Sequence, residues 1–242
     1  MTSTLDNQHL NAFRSVVKKR RSVKRFTDTP IPEDVLQDCL DMAMLAPNSS
    51  NLQPWEFYII RSPKKKQAAI KACLNQNAAK SSQVLIAIVA RTDTWQEHAA
   101  DVLKFWPSKE VPPIVTRYYT KLTAANFTLG PLNALAPLKW AGVKLSRLSK
   151  GATADAHYSQ STIKLWATKS TALAAENLML AFCAHGFDSC PMEGFDPSAM
   201  QKILGLNKHQ HIVMMLGAGE RAENGIYHEQ FRFERERFIK EV

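Results

Sequence analysis

Ala46-Pro47-Asn48-Ser49-Ser50-Asn51-Leu52-Gln53-Pro54-Trp55 lies between a helical apolar pattern and a strand-like run. Each of the two flanking prolines removes a backbone donor and fixes its own φ, and Pro54 biases Gln53 toward an extended conformation. The segment therefore has few conformations to lose, which suits a preorganised binding surface. It equally suits a plain helix-to-strand connection, because Asn, Ser and Pro are ordinary turn residues. The flanks are more definite. Upstream, Pro32-Glu33-Asp34 opens a helix with proline in the first turn and acids at its positive end, and Val35, Leu36, Cys39, Leu40, Ala43 and Met44 recur at helical spacing. Downstream, residues 56–60 read as a strand, 62–74 as a lysine-rich helix and 84–90 as a buried strand. Trp55, a large aromatic entering a strand, reads as core packing.

Working outward, residues 11–21 predict a helix with Phe13, Val16 and Val17 on one face and a basic end. It runs into Arg20-Arg21-Ser22-Val23-Lys24-Arg25-Phe26, where cations surround one hydroxyl. Planar guanidinium forks and a short hydroxyl donor are suited to a phosphate, and a solvated basic face is the other reading. Residues 92–160 carry weak signals, many prolines and a basic stretch at 139–150. They predict a helical excursion with joints, the part of the chain suited to substrate access. Residues 162–185 predict a long helix rich in alanine and apolar nearly all round, closed by Gly186. Asp188 to Asp196 reads as a strand and turn, Asp196-Pro197 starts a short helix ended by Gly205, and 211–217 is a further buried strand. Strands separated by helices place the chain among α+β or α/β layer folds.

The 242 residues, 45% hydrophobic and 22% charged, have ordinary globular composition, and no run reaches the ~18 apolar residues of a membrane span. The polar N-terminus lacks a signal-peptide core, so the expectation is a cytoplasmic protein. Cys39, Cys73, Cys183 and Cys190 show no metal-ligand or disulfide spacing, and the seven histidines form no ligand set, so no metal is assigned. The net charge of +9 attracts anions in general; without an RNP sequence, zinc finger or basic zipper, no specific nucleic-acid partner is expected.

Three segments in this order, Arg20 to Lys24, Ala46 to Trp55 and Cys190-Pro191-Met192-Glu193-Gly194-Phe195-Asp196, together resemble the FMN-dependent nitroreductase family over most of the chain. The resemblance implies one α+β domain over residues 1–242, with a mainly antiparallel central sheet flanked by helices, and a homodimer with FMN sites at the interface. It implies that Arg20, Arg21, Ser22 and Lys24, joined by Arg232, hold the FMN phosphate; relatives often carry a second basic residue where this chain has Gln230. It places Pro47, Asn48, Ser49 and Asn51 over the flavin of the other subunit, with serine more common where Asn48 stands. Asn75 matches a position at the pyrimidine edge, where an amide both donates and accepts. Pro191, Met192, Glu193 and Gly194 pass the flavin N5 edge. Glu193 and Gly194 are the catalytic candidates, through the Glu193 carboxyl or through backbone geometry for which glycine permits close approach.

The implied reaction is ping-pong: NADH or NADPH reduces FMN, and a small acceptor such as a nitroaromatic, quinone or enone then takes the electrons. No Gly-x-Gly-x-x-Gly follows a strand, which argues against a separate nicotinamide domain. Another flavin reaction of the family, such as that of a dehydrogenase or enone reductase, and a non-catalytic flavin-binding protein remain the alternatives.

Overall fold

The computed structural model describes residues 4–151 and 157–242. The rest of the excursion expected at 92–160, namely 152–156, lies outside the described residues. Four strands, β1 (Trp55–Ile59), β2 (Val84–Arg91), β3 (Asp188–Met192) and β4 (Gln210–Gly219), form one antiparallel sheet in the order β1-β2-β4-β3. The α+β layer fold and the mainly antiparallel sheet expected from the sequence are therefore present.

β2 is central and buried on both sides, which is why its sequence is an unbroken apolar run rather than an alternation. With period two, Ile86 and Ile88 face one layer and Leu85, Ala87 and Val89 the other. The first layer is α2 (Glu33–Met44) and α9 (Gln160–Ala184), packed through Leu36, Cys39, Leu40 and Ala43 against Ala175, Leu178, Met179 and Phe182. The small residues of α9 let α2 and the sheet approach closely, and a capping box between Ser159 and Thr162 starts the helix. The second layer contains α3 (Pro63–Ala72), α4 (Asn77–Ser81) and α10 (Pro197–Leu204), the last capped by Asp196 through the Ser198 and Ala199 N–H groups. Gly217 is needed here: a Cβ on it would lie 2.8 Å from the Ala78 carbonyl oxygen.

α1 (Thr4–Lys19) begins seven residues before the predicted helix and ends before Arg20 and Arg21. Those two belong instead to an extended edge segment, in which Ser22 bridges Ser189 in parallel and Val23 N–H donates to the Ser189 carbonyl at 3.0 Å. Phe13 and Val17, which the spacing places on one face, are exposed in the single chain. The excursion carries α5 (Trp95–Lys104), α6 (Pro113–Arg117), a π-helical turn at Tyr118–Thr123, α7 (Ala124–Phe127) and α8 (Ala136–Lys150). A third apolar cluster, with Leu52, Ala99, Phe127, Leu129, Ile163 and Trp166, ties the 46–55 loop to α5, α7 and α9.

Candidate functional site

The edge segment delivers Arg20, Arg21, Ser22 and Lys24 to one side of the sheet, and the chain after β4 returns to them. Lys24 N–H donates to the Gly225 carbonyl at 2.7 Å and Ala222 N–H to the Arg25 carbonyl at 3.1 Å. Gly225 permits this approach, since a Cβ there would lie 2.6 Å from the Arg25 carbonyl oxygen. Between the two segments lies a cavity of about 300 Å³ lined by Arg20, Arg21, Ser22, Lys24 and Arg232, together with Tyr227, His228 and Gln230. All five residues predicted for a phosphate thus converge, although Arg232 is some 200 positions away in the chain.

Among the described residues, no carboxylate lines that cavity. Arg20 has Glu176 of α9 at 3.9 Å, Arg21 Nη2 donates to the His228 carbonyl at 2.6 Å, and Arg232 Nη1 donates to the Phe231 carbonyl at 2.7 Å. Lys24 Nζ lies 3.3 Å from Cys190 Sγ. Burial pushes the Cys190 thiol up, more than the adjacent ammonium pulls it down, so Lys24 sits over a neutral sulfur and its charge is available to an anion. The Tyr227 phenol is drawn below its ordinary value by the hydrogen bond from Asn77 and by Arg25 and Lys24 nearby, another sign of a positive field. A cavity lined by several cations and by the Ser22 and Tyr227 hydroxyls is chemically matched to a phosphate dianion.

The same sulfur contact links this cavity to the 191–194 turn. Phe195 N–H donates to the Glu193 carbonyl at 3.0 Å, closing the turn, and Asp196 N–H donates to the Ala72 carbonyl at 2.8 Å. Among the described residues, the Glu193 and Gly194 N–H groups donate to no other group of the chain, and the Glu193 side chain is exposed. Gln76 Nε2 donates to the Gly194 carbonyl at 2.6 Å, which brings the exposed Asn75 beside the turn. Asn75 and Leu74 both hold left-handed φ, at 56° and 54°. Among the described residues, and apart from its chain neighbours, the one atom within 4 Å of a Cβ built on Gly194 is that flexible Gln76 nitrogen, at 3.3 Å, so the chain itself makes a mild demand for glycine here.

Pro47, Asn48 and Ser49 are elsewhere, lining a separate cavity of about 370 Å³ with Trp166, Lys169, Ser170 and Leu173 of α9. Asn51 lines a third, of about 500 Å³, with Gln53, His98, Asp101, Phe105 and Trp106. No residue of these two cavities lines the cation cavity. Asn48 is committed within its own loop, its Oδ1 accepting from Gln53 N–H at 2.8 Å and its Nδ2 donating to the Ala46 carbonyl at 3.3 Å. This capture explains a departure from the sequence expectation. Gln53 is not extended but holds φ 43°, because its N–H is bound by Asn48 and its carbonyl accepts from Trp55 N–H at 2.9 Å. Ser50 and Asn51 also hold positive φ, at 62° and 49°. The loop is pinned by buried Leu52, by His98 Nδ1 against the Leu52 carbonyl at 2.6 Å, and by Tyr119 OH donating to the Ser50 carbonyl at 2.9 Å. Trp55 is buried in the core as expected.

Sequence reasoning missed Tyr227, His228 and Gln76, which act at the cavity and turn only through contacts far apart in the chain. Lys169 and Ser170 were also missed. Nothing in the sequence sets this cation and hydroxyl apart, because α9 also carries Lys164, Thr168, Thr171 and Glu176.

Residues 17–220 match the protein-family model described as Nitroreductase family. The chain is 26% identical over 212 residues to a protein of Thermus thermophilus named NADH dehydrogenase, covering 88% of each. The crystal structure of ydfN from Bacillus subtilis superposes with a TM-score of 0.76 at 21% identity, covering 97% of this chain and all of that one. A protein of Exiguobacterium sibiricum crystallised in complex with FMN gives a TM-score of 0.70 at 23% identity, covering 95% and 97%. These two structures establish likeness of fold.

Proposed function

The chain belongs to the nitroreductase family, and from that premise we propose that it is an FMN-dependent oxidoreductase that draws on NADH or NADPH and reduces small acceptors such as nitroaromatics, quinones or enones. The observation that carries this reading is the cavity in which Arg20, Arg21, Ser22, Lys24 and Arg232 meet, with no carboxylate among its described lining residues. Those residues fit a phosphate, and a relative of the same fold was crystallised with FMN.

FMN held there would supply reversible two-electron chemistry between the nicotinamide and the acceptor. The residues of the chain bind and orient. The cations and Ser22 hold the phosphate, and Lys24 over Cys190 sets the distance from that anchor to the 191–194 turn. The unpartnered N–H groups of Glu193 and Gly194 are free to donate to a flavin ring atom. This makes backbone donation the role of the turn, with the Glu193 carboxylate in solvent. Asn75 recognises the pyrimidine edge from its place beside the turn.

The separation of Pro47, Asn48 and Ser49 from the cation cavity within one chain supports a site completed by a second copy, with the loop covering a flavin held mainly by its partner. Exposed Phe13, Val17, Leu45 and Leu173 give apolar surface for such a homodimer. Among the described residues no helix is long and apolar enough to cross a membrane.

The test is spectroscopic. Purified protein, as isolated or after incubation with FMN, is expected to show a bound-flavin spectrum that bleaches rapidly under anaerobic mixing with NADH or NADPH. A protein that stays colourless after FMN incubation overturns the proposal, and bound flavin that does not bleach overturns its catalytic part.

A further inference from the structure

α8 carries its apolar stripe on the wrong side for a core helix. The row turned toward the protein is Ala136, Lys139, Val143 and Ser146, the four partly covered positions of the helix. Lys139 fastens it, its Nζ donating to the Asn126 carbonyl at 2.8 Å and the His157 carbonyl at 3.2 Å. On the opposite side Leu138, Ala141, Leu145 and Leu148 follow one another at helical spacing, with the three leucines 70%, 69% and 85% exposed. No described residue of α8 is buried.

The charge on this helix is equally one-sided. It bears Lys139, Lys144, Arg147 and Lys150 and no carboxylate. Over residues 111–154 the sequence has Arg117 and Lys121 in addition and neither Asp nor Glu. Lys144 Nζ lies 5.7 Å from the ring centre of half-exposed Trp140, whose indole has both an apolar body and a polar edge.

From the leucine row and this charge we infer that α8 docks the protein onto the surface of an anionic lipid bilayer. Fifteen residues make a helix of about 22 Å, shorter than the ~30 Å hydrocarbon core, so it lies in the interfacial plane. Leu138, Leu145 and Leu148 enter the acyl boundary, while the Lys144 and Lys150 stems reach up to headgroup phosphates. Charge decides against α8 meeting its own copy across a two-fold axis. A two-fold contact through this face would set one basic, acid-free helix against another. The inference uses no part of the flavin reading.

The test is co-sedimentation of the full chain with vesicles of phosphatidylcholine alone and of phosphatidylcholine mixed with phosphatidylglycerol. The expected result is binding to the anionic vesicles that is at least about tenfold weaker on neutral ones and falls with added salt. Combined Leu145→Glu and Leu148→Glu, at positions exposed enough to leave folding intact, should lower partitioning by about tenfold or more. Three results overturn the inference: no binding to anionic vesicles, equal binding by the double variant, or a double variant that elutes as a smaller oligomer. The second would reduce the effect to the +9 charge of the chain, and the third would make the leucine row a self-interface.

Discussion

Arg20, Arg21, Ser22 and Lys24 reach their cavity as side chains thrown from an extended edge segment, whereas the loop from Pro47 to Gln53 is shaped by its own backbone. The cavity is held open by main-chain bonds at Lys24 and Ala222 and contains flexible cations. The loop holds Ser50, Asn51 and Gln53 at positive φ, each costing on the order of 1 kcal/mol, and offsets that strain with buried Leu52 and with bonds from Asn48, His98 and Tyr119. The difference teaches which property each part must supply. A charged group is captured by long-range attraction, while a surface proposed to cover a planar ring needs a fixed shape.

Removing cations should break the first region without touching the second. Combined Arg20→Ala and Lys24→Ala removes two charge-assisted donors worth roughly 1.5–3 kcal/mol each, so FMN affinity should fall about 100-fold or more in a fluorescence titration while the melting temperature changes little. Removing packing should do the reverse. Leu52→Ala empties a fully buried position and should cost about 2–5 kcal/mol in denaturant unfolding.

Acid should also weaken the loop side. His211 pairs with Ala90 across β2 and β4 beneath the loop's exit, with Thr168 Oγ1 at 2.8 Å from its Nε2, and burial holds its pKa down at about 4 against an ordinary 6.5. The unfolded chain therefore takes up this proton first as pH falls. Stability present above pH 6.5 is lost progressively toward pH 4, by up to ~3 kcal/mol, and His211→Gln should flatten that part of a stability-against-pH curve. The smallest effect expected is from Asn48→Ala, about 1–2 kcal/mol of stability, through loss of the bond that holds Gln53 N–H.

The sequence made the layers legible where burial leaves a simple pattern. Residues 84–90 are apolar at every position because helices cover both faces of β2, and the stripe in α2 buries Leu36, Cys39, Leu40 and Ala43 as its spacing says, while Met44, in the last turn, is 48% exposed. The basic run at 20–24 was legible as a local density of charge, and the structure gathers it along one cavity. What remained hidden was non-local. Tyr227 and His228 join the cavity only because Gly225 lets two distant segments touch, and α4 is five residues long, too short for a period to show. Gln53 defied the rule for residues before proline because a side chain five positions earlier captured its N–H. The stripe in α8 was visible as composition, but its outward direction depends on Lys139 being tied down on the opposite side.

The most direct test of the cation cavity compares FMN with riboflavin, which has the same ring and no phosphate. Titrated against the wild-type chain, FMN should bind about 100-fold or more tightly than riboflavin, and the combined Arg20→Ala and Lys24→Ala variant should bring the two close together by weakening FMN alone. Equal affinity of the wild-type chain for both flavins, or a preference for FMN that survives in the variant, would contradict a phosphate held by these residues.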